Sequence, residues 1–346
     1  MNKDRQNLEG GDDSTNVQAG RDVVIHTATP EQVRETVLAL FHENFLELRD
    51  MARDIATARA EAITTRFLDG LKEEHPEALE RFSDPDLQRS VYRAQEEFAC
   101  SGDEELAEVL VRLLVDRAGE EDRSVRTIAL NEAIKAASLL TAAQRRVIGA
   151  VFFLRYTRQK APDLQTFKAL LHRSLAPLAL GLPTQASDYQ HIEYVGAGSV
   201  GIGSLGFGAA VRAGNEGFFT RGFAPHQVPT DLPDNLRSQL FVPCFREPDN
   251  LQVVVMSPED VDELLARLAR EEDGDALKSL FNIGQLTDAE IESELISENS
   301  QLAQLRDAWM TEGGPGHLSL TSVGIAIGHT YWRRLTGQQA PLSIWL

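Results

Sequence analysis

Three sets of residues in this 346-residue chain have types and spacings that could do chemistry. Gly196, Gly198 and Gly201 spell G-x-G-x-x-G after the strand-like stretch HIEYV, residues 191–195. In a dinucleotide site that spacing lets backbone approach a pyrophosphate at a helix N-terminus, with an acid about 20 residues on to hold the ribose. Glu216 stands at that distance, but glycine recurs at 203, 206 and 208, which would weaken the required helix. No G-K-[ST] occurs, which removes a P-loop. The expectation is a glycine-rich strand or turn where backbones approach closely, and no cofactor. A second set is His226 with Cys244, a nucleophile and a base only if the fold joins them. Cys244 lies in FVPCF, the setting of a small buried hydrophobe, so no catalytic residue is assigned.

The third set is cationic. Between Thr141 and Arg173 there are 7 basic side chains and 1 acidic one. Arg145 and Arg146 begin a strongly apolar helical stretch, and Arg155 and Arg158 end it. If the four converge they make an anion site; otherwise the second pair complements the helix dipole at its C-terminus. His42, His172, His191 and His329 show no metal-ligand spacing, and DPD at 84–86 reads as helix capping, so no metal is expected.

The elements that must position these groups read as mainly α. Residues 1–29 form a polar lead-in with one strand motif, and 30–182 an all-helical domain. Thr29-Pro30-Glu31-Gln32 is a capping box with proline at the first helical position. Apolar residues then recur from Val33 to Leu71 at helical spacing, as a hairpin or one elongated helix. Ser83, then Ser101 or Asp103, cap the next two helices; Thr141–Gln144 is a second box, opening TAAQRRVIGAVFFLRYTRQ, expected as the central core helix. Residues 183–256 form a glycine-rich mixed α/β region: 9 of the chain's 25 glycines lie between 196 and 222, and LQVVVM at 251–256 is the clearest strand. Residues 257–346 return to helix, with a third box at Thr287–Glu290 and a final helix between Thr321 and Gly337.

Bulk properties narrow the function classes. A net charge of −19 speaks against DNA or RNA as partner, because phosphate neutralisation needs clustered Lys and Arg. Residues 258–300 alone carry 13 acidic and 3 basic side chains. Two cysteines 144 positions apart make no disulfide scaffold, and no apolar h-region opens the chain, so a cytoplasmic protein is expected. The longest apolar run, Val147–Leu154, falls short of the roughly 20 residues that span a bilayer.

Two resemblances add to this. GGDDSTNVQAGRDVVI, LNEAIKAASLLTAAQRRVIGAVFFLRYT, HIEYVGAGSV, LSLTSVGIAIGHTYWRR and the terminal LSIWL together resemble an uncharacterised bacterial family of the LPO/Vpar locus-tag type, over nearly the full chain. That family implies no activity. Locally, Val17-Gln18-Ala19-Gly20 followed by Val23-Val24-Ile25 is similar to the V-Q-x-G core of RIP homotypic interaction motifs and their bacterial amyloid-signalling counterparts. The resemblance implies cross-β stacking that links sensors to effectors; Ala19 and the Arg21-Asp22 pair depart from it. A single strand that pairs within an ordered oligomer fits the residues better. The expected function is a non-enzymatic, self-assembling interaction protein of bacterial antiviral or conflict signalling. Its partners are itself and a signalling protein, and Val17, Gln18, Gly20, Val23, Val24 and Ile25 are the association residues. The alternatives are a nucleotide- or anion-binding enzyme using the 196–208 glycines and nearby arginines, and a membrane-active effector.

Overall fold

A computed structural model of the chain describes residues 29–44, 50–229, 232 and 234–346. Residues 14–26, the association segment expected from the sequence, lie outside the described residues. Among them the fold is mainly α, with fifteen α-helices and four three-residue strands. The helical region contains α1 (Pro30–Asn44), α2 (Asp50–Glu74), α3 (Pro85–Ser101), α4 (Glu104–Gly119), α5 (Val125–Leu139), α6 (Ala142–Tyr156) and α7 (Leu164–Leu175). The mixed region contains α8 (Ala186–Tyr194), β1 (Gly198–Val200), α9 (Phe207–Arg212), α10 (Asp234–Leu240), β2 (Phe241–Pro243) and β3 (Leu251–Val253). Then come α11 (Glu259–Leu268), α12 (Gly274–Phe281), α13 (Asp288–Glu298), α14 (Leu302–Trp309), β4 (Leu318–Leu320) and α15 (Ser322–Thr336).

Local chemistry explains most boundaries. The three boxes close as their residues dictate: Thr29 N–H donates to Gln32 Oε1 at 2.9 Å, and Thr141 N–H to Gln144 Oε1 at 2.9 Å. Thr287 N–H donates to Glu290 Oε2 at 2.8 Å. Each satisfies donors that a helix start leaves open. At α3 the cap is Asp84 rather than the expected Ser83, because Pro85 takes the first helical position and Asp84 Oδ1 accepts from Asp86 N–H at 3.0 Å. Asp103 caps α4, accepting from Leu106 N–H at 3.1 Å.

Two strand expectations are corrected. HIEYV is not strand: His191–Tyr194 complete α8, whose Tyr189 and Ile192 are buried at helical spacing. LQVVVM is strand only over Leu251–Val253, paired antiparallel to Phe241–Pro243. Its partner starts directly from α10 and ends at Pro243, which has no N–H to extend the ladder.

The main hydrophobic core joins α1–α8 to α13, α14 and α15, and a smaller core links Phe223, Phe241 and Val253 to α11 and α12. At its centre α6 is buried almost all round, from Val147 to Leu154. The C-terminal helix α15 packs on α6 through reciprocal glycines. A Cβ on Gly149 would stand 3.0 Å from Tyr331, and one on Gly328 would stand 2.4 Å from Phe152. Such spacing lets two backbones approach with little side chain between them. The tail is tied back at several points. His329 Nε2 donates to the Ala340 carbonyl at 2.8 Å, Trp345 Nε1 donates to the Tyr156 carbonyl at 2.7 Å, and Arg333 donates to Gln339 Oε1 at 2.6 Å.

Candidate functional site

The helices α3 and α5, adjacent in space but separated in sequence by α4, line a polar groove of about 250 Å³. On α3 the residues are Asp86, Arg89, Ser90 and Arg93, a set at i, i+3, i+4 and i+7 that shares one face. From α5 and the turn before it come Arg123, Thr127, Ile128, Asn131, Glu132 and Lys135. Four cations and two carboxylates therefore face one small cavity in a protein of charge −19.

The floor of the groove is a fixed network. Arg117, on α4, has a side chain only 4% exposed. It donates to Asn131 Oδ1 at 2.9 Å, Asp84 Oδ2 at 3.0 Å and Asp86 Oδ2 at 3.1 Å. Asn131 Nδ2 donates to Asp86 Oδ2 at 2.6 Å, and the buried Ser90 hydroxyl lies 2.9 Å from Asn131 Oδ1. Thr127 is also buried, its hydroxyl donating to the Asp122 carbonyl at 2.5 Å. Partial burial would raise the Asp86 carboxyl. Hydrogen bonds from Asn131 and Arg117, with the charges of Arg117 and Arg123, hold it below its ordinary value instead. Asp86 is thus ionised and shares the charge of Arg117 with Asp84.

The walls are different. Among the described residues Arg89, Arg93 and Arg123 make no hydrogen bond or ion pair within the chain, and Lys135 meets only Glu132, at 3.7 Å between two half-exposed side chains. Arg89 and Arg93 stand at i, i+4, where like charges repel by a few tenths of a kcal/mol. An anion entering the groove would relieve that repulsion and meet several guanidinium donors.

The arginines singled out in the sequence are placed elsewhere and do not converge. Arg145 is 1% exposed and donates to the Leu140 carbonyl at 2.7 Å and to Asp103 Oδ2 at 2.5 Å, joining the α4 cap to the end of α5. Arg146 donates to the Leu180 carbonyl at 2.7 Å and meets Glu105 at 3.3 Å. Arg155 donates to the Leu318 carbonyl in β4, and Arg158 donates to Asp260 at 2.9 Å and Ser257 at 3.2 Å. Each guanidinium thus ties two elements together.

The glycine cluster serves backbone approach. Gly196, at φ +79°, follows α8, and Gly198 lies in β1, paired antiparallel with Leu320 of β4. The helix that opens afterwards is α9, six residues long and starting at Phe207 rather than at Gly201. A Cβ on Gly208 would fall 2.5 Å from the Asp288 carbonyl oxygen. Cys244 is buried, its thiol donating to the Thr220 carbonyl at 3.3 Å, while His226 sits exposed on a separate 3-10 turn. Among the described residues no three His, Cys, Asp or Glu side chains are placed to hold a metal. No helix among them is long and apolar enough to cross a membrane.

Sequence reading missed the α3/α5 groove. Its one local signal was the like-charged Arg89/Arg93 pair at i, i+4 on a single helix face.

No curated protein and no solved structure matches the chain. A family model whose description reads ":-like" matches residues 28–346, nearly the full length.

Proposed function

Because the chain belongs to that family, whose description carries no activity, we propose its function from its own residues. It is a non-enzymatic interaction protein that receives an anion between α3 and α5 and self-associates through residues 14–26. The observation that carries the reading is the groove: Arg89, Arg93 and Arg123 face a polar cavity and, among the described residues, make no hydrogen bond or ion pair. Its lining offers charge and hydrogen bonds for recognition, with no histidine or cysteine beside the hydroxyls to activate a nucleophile.

Self-association rests on the motif Val17-Gln18-Ala19-Gly20 with Val23-Val24-Ile25, placed four residues before the Thr29 cap of α1. A short β-branched strand seeks a partner strand, and a second copy supplies an identical one. The setting we propose is cytoplasmic bacterial conflict signalling, in line with the motif's likeness to homotypic signalling segments. Light scattering of the full chain beside a chain beginning at Thr29 tests this part. We expect a multimer for the first and a lower mass for the second; equal masses would remove residues 14–26 from the proposal.

A further inference from the structure

We infer that the ligand of the α3/α5 groove is a small phosphorylated polyol, such as a sugar phosphate, which deepens and rests on the anion-receiving reading above. Three features of the lining select this class.

The first is charge. Among the described residues Arg89, Arg93 and Arg123 make no hydrogen bond or ion pair, and Lys135 is held only by a half-exposed i, i+3 contact to Glu132. A phosphate monoester brings up to two negative charges and three acceptor oxygens to one atom, which matches several guanidinium forks better than a single carboxylate does.

The second is the pair of acids. Asp86 and Glu132 line the same cavity, and a bare anion would be repelled by them. Asp86 shares Arg117 with Asp84 from below, and its oxygens and those of Glu132 remain acceptors. They are satisfied by a ligand that also brings O–H donors, as a polyol does. Asn131 and the buried hydroxyls of Ser90 and Thr127 extend that polar surface.

The third is size and texture. Drug-sized ligands occupy about 300–1,000 Å³ in mostly apolar pockets. This groove holds about 250 Å³, and of its lining residues only Ile128 is apolar and none is aromatic. A nucleobase would find no ring to stack on, and a dinucleotide would not fit.

The experiment is isothermal titration of the full chain with glucose 6-phosphate, inorganic phosphate, glucose, adenosine monophosphate and hexaglutamate. The inference expects glucose 6-phosphate to bind most tightly, inorganic phosphate more weakly, and glucose and hexaglutamate not measurably. In Arg89→Gln/Arg93→Gln, affinity for glucose 6-phosphate should fall on the order of tenfold or more, the loss of at least one charge-assisted bond. Both side chains project from the walls without internal partners, so the fold should persist. Ile128→Trp, which occludes the groove without removing charge, should abolish binding by a separate route. Binding of hexaglutamate as tight as that of glucose 6-phosphate, or tighter binding of adenosine monophosphate, would overturn the ligand class and leave the anion groove standing. If no anion binds, or neither variant changes binding, the groove reading fails with it.

Discussion

Arg117 is a buried cation whose worth is set by where its partners sit. Removing one member of a fully buried pair costs about 3–5 kcal/mol because the other charge is stranded. Here the side chains of Asp84 and Asp86 are 42% and 56% exposed and can take up water again. Arg117→Met should therefore lose only about 1–3 kcal/mol in urea unfolding, mostly its hydrogen bonds to Asn131 and the α3 cap. A change below about 0.5 kcal/mol would show that the network does not hold the groove floor. A second residue-scale test concerns acid–base behaviour at the base of α15. Burial pushes Asp116 up to about 6, with the Glu74 charge adding and Arg333, 2.9 Å away, opposing. Burial pushes His329 down to about 4, with the Arg333 charge adding; its Nε2 must donate to the Ala340 carbonyl. The signs are opposite. Between an ordinary carboxylate pKa and about 6 the folded chain keeps a proton on Asp116 that the unfolded chain releases, so that contribution to stability falls as pH rises. Between about 4 and 6.5 the unfolded chain protonates its His329 and the folded chain does not, so that contribution falls as pH drops. Relative to the parent, Asp116→Asn should gain stability on going from about pH 4.5 to about pH 6.5, and His329→Gln on going the other way, each by about 2 kcal/mol. Urea titrations at the two pH values check this; a reversed sign for either variant would contradict the buried-proton assignment.

At the scale of elements, close helix packing depends on glycines that no local rule marks as essential. A Cβ on Gly324 would lie 1.8 Å from the Ala197 carbonyl oxygen, just before β1, and one on Gly328 would press on Phe152 of α6. In an open helix Gly→Ala gains up to about 1 kcal/mol. Gly324→Ala and Gly328→Ala should instead each lower stability by about 1–3 kcal/mol, seen as a lower denaturation midpoint. Gly274→Ala, at the start of α12 with only Leu265 at 3.9 Å, should cost nothing. Helices were legible wherever a local pattern decided the outcome. The three S/T-x-x-E/Q boxes formed, and Thr321 and Gly337 bound α15 as cap and stop. The box at Ser124–Thr127 escaped that template because threonine, not Glu or Gln, closes it. HIEYV misled because β-branched and aromatic residues outweighed a spacing that tertiary burial of Tyr189 and Ile192 made helical. The groove escaped for a stronger reason. Arg89 and Arg123 come from different helices, and only the packing of α3 beside α5 brings them to one cavity.

At the scale of the whole molecule, the charge asymmetry of the sequence turns out to be largely internal pairing. The basic stretch 141–173 answers the acidic stretch 258–300: Arg158 meets Asp260 at 2.9 Å, Lys168 meets Glu298 at 2.7 Å, and His172 meets Glu298 at 2.8 Å. Arg246 and Arg221 answer Glu294 and Glu290 of α13. The α3/α5 groove differs: four cations face one cavity with two carboxylates, and among the described residues Arg89, Arg93 and Arg123 make no hydrogen bond or ion pair. The central claim is that such a ligand-receiving helical body is joined to copies of itself by the segment ahead of α1. Sedimentation velocity of the full chain and of full-length Val24→Asp tests it most directly, since a charge on a pairing strand opposes edge association without shortening the chain. The account predicts a concentration-dependent multimer for the parent and a lower-mass species for Val24→Asp with the same melting temperature. Identical distributions for the two would contradict it.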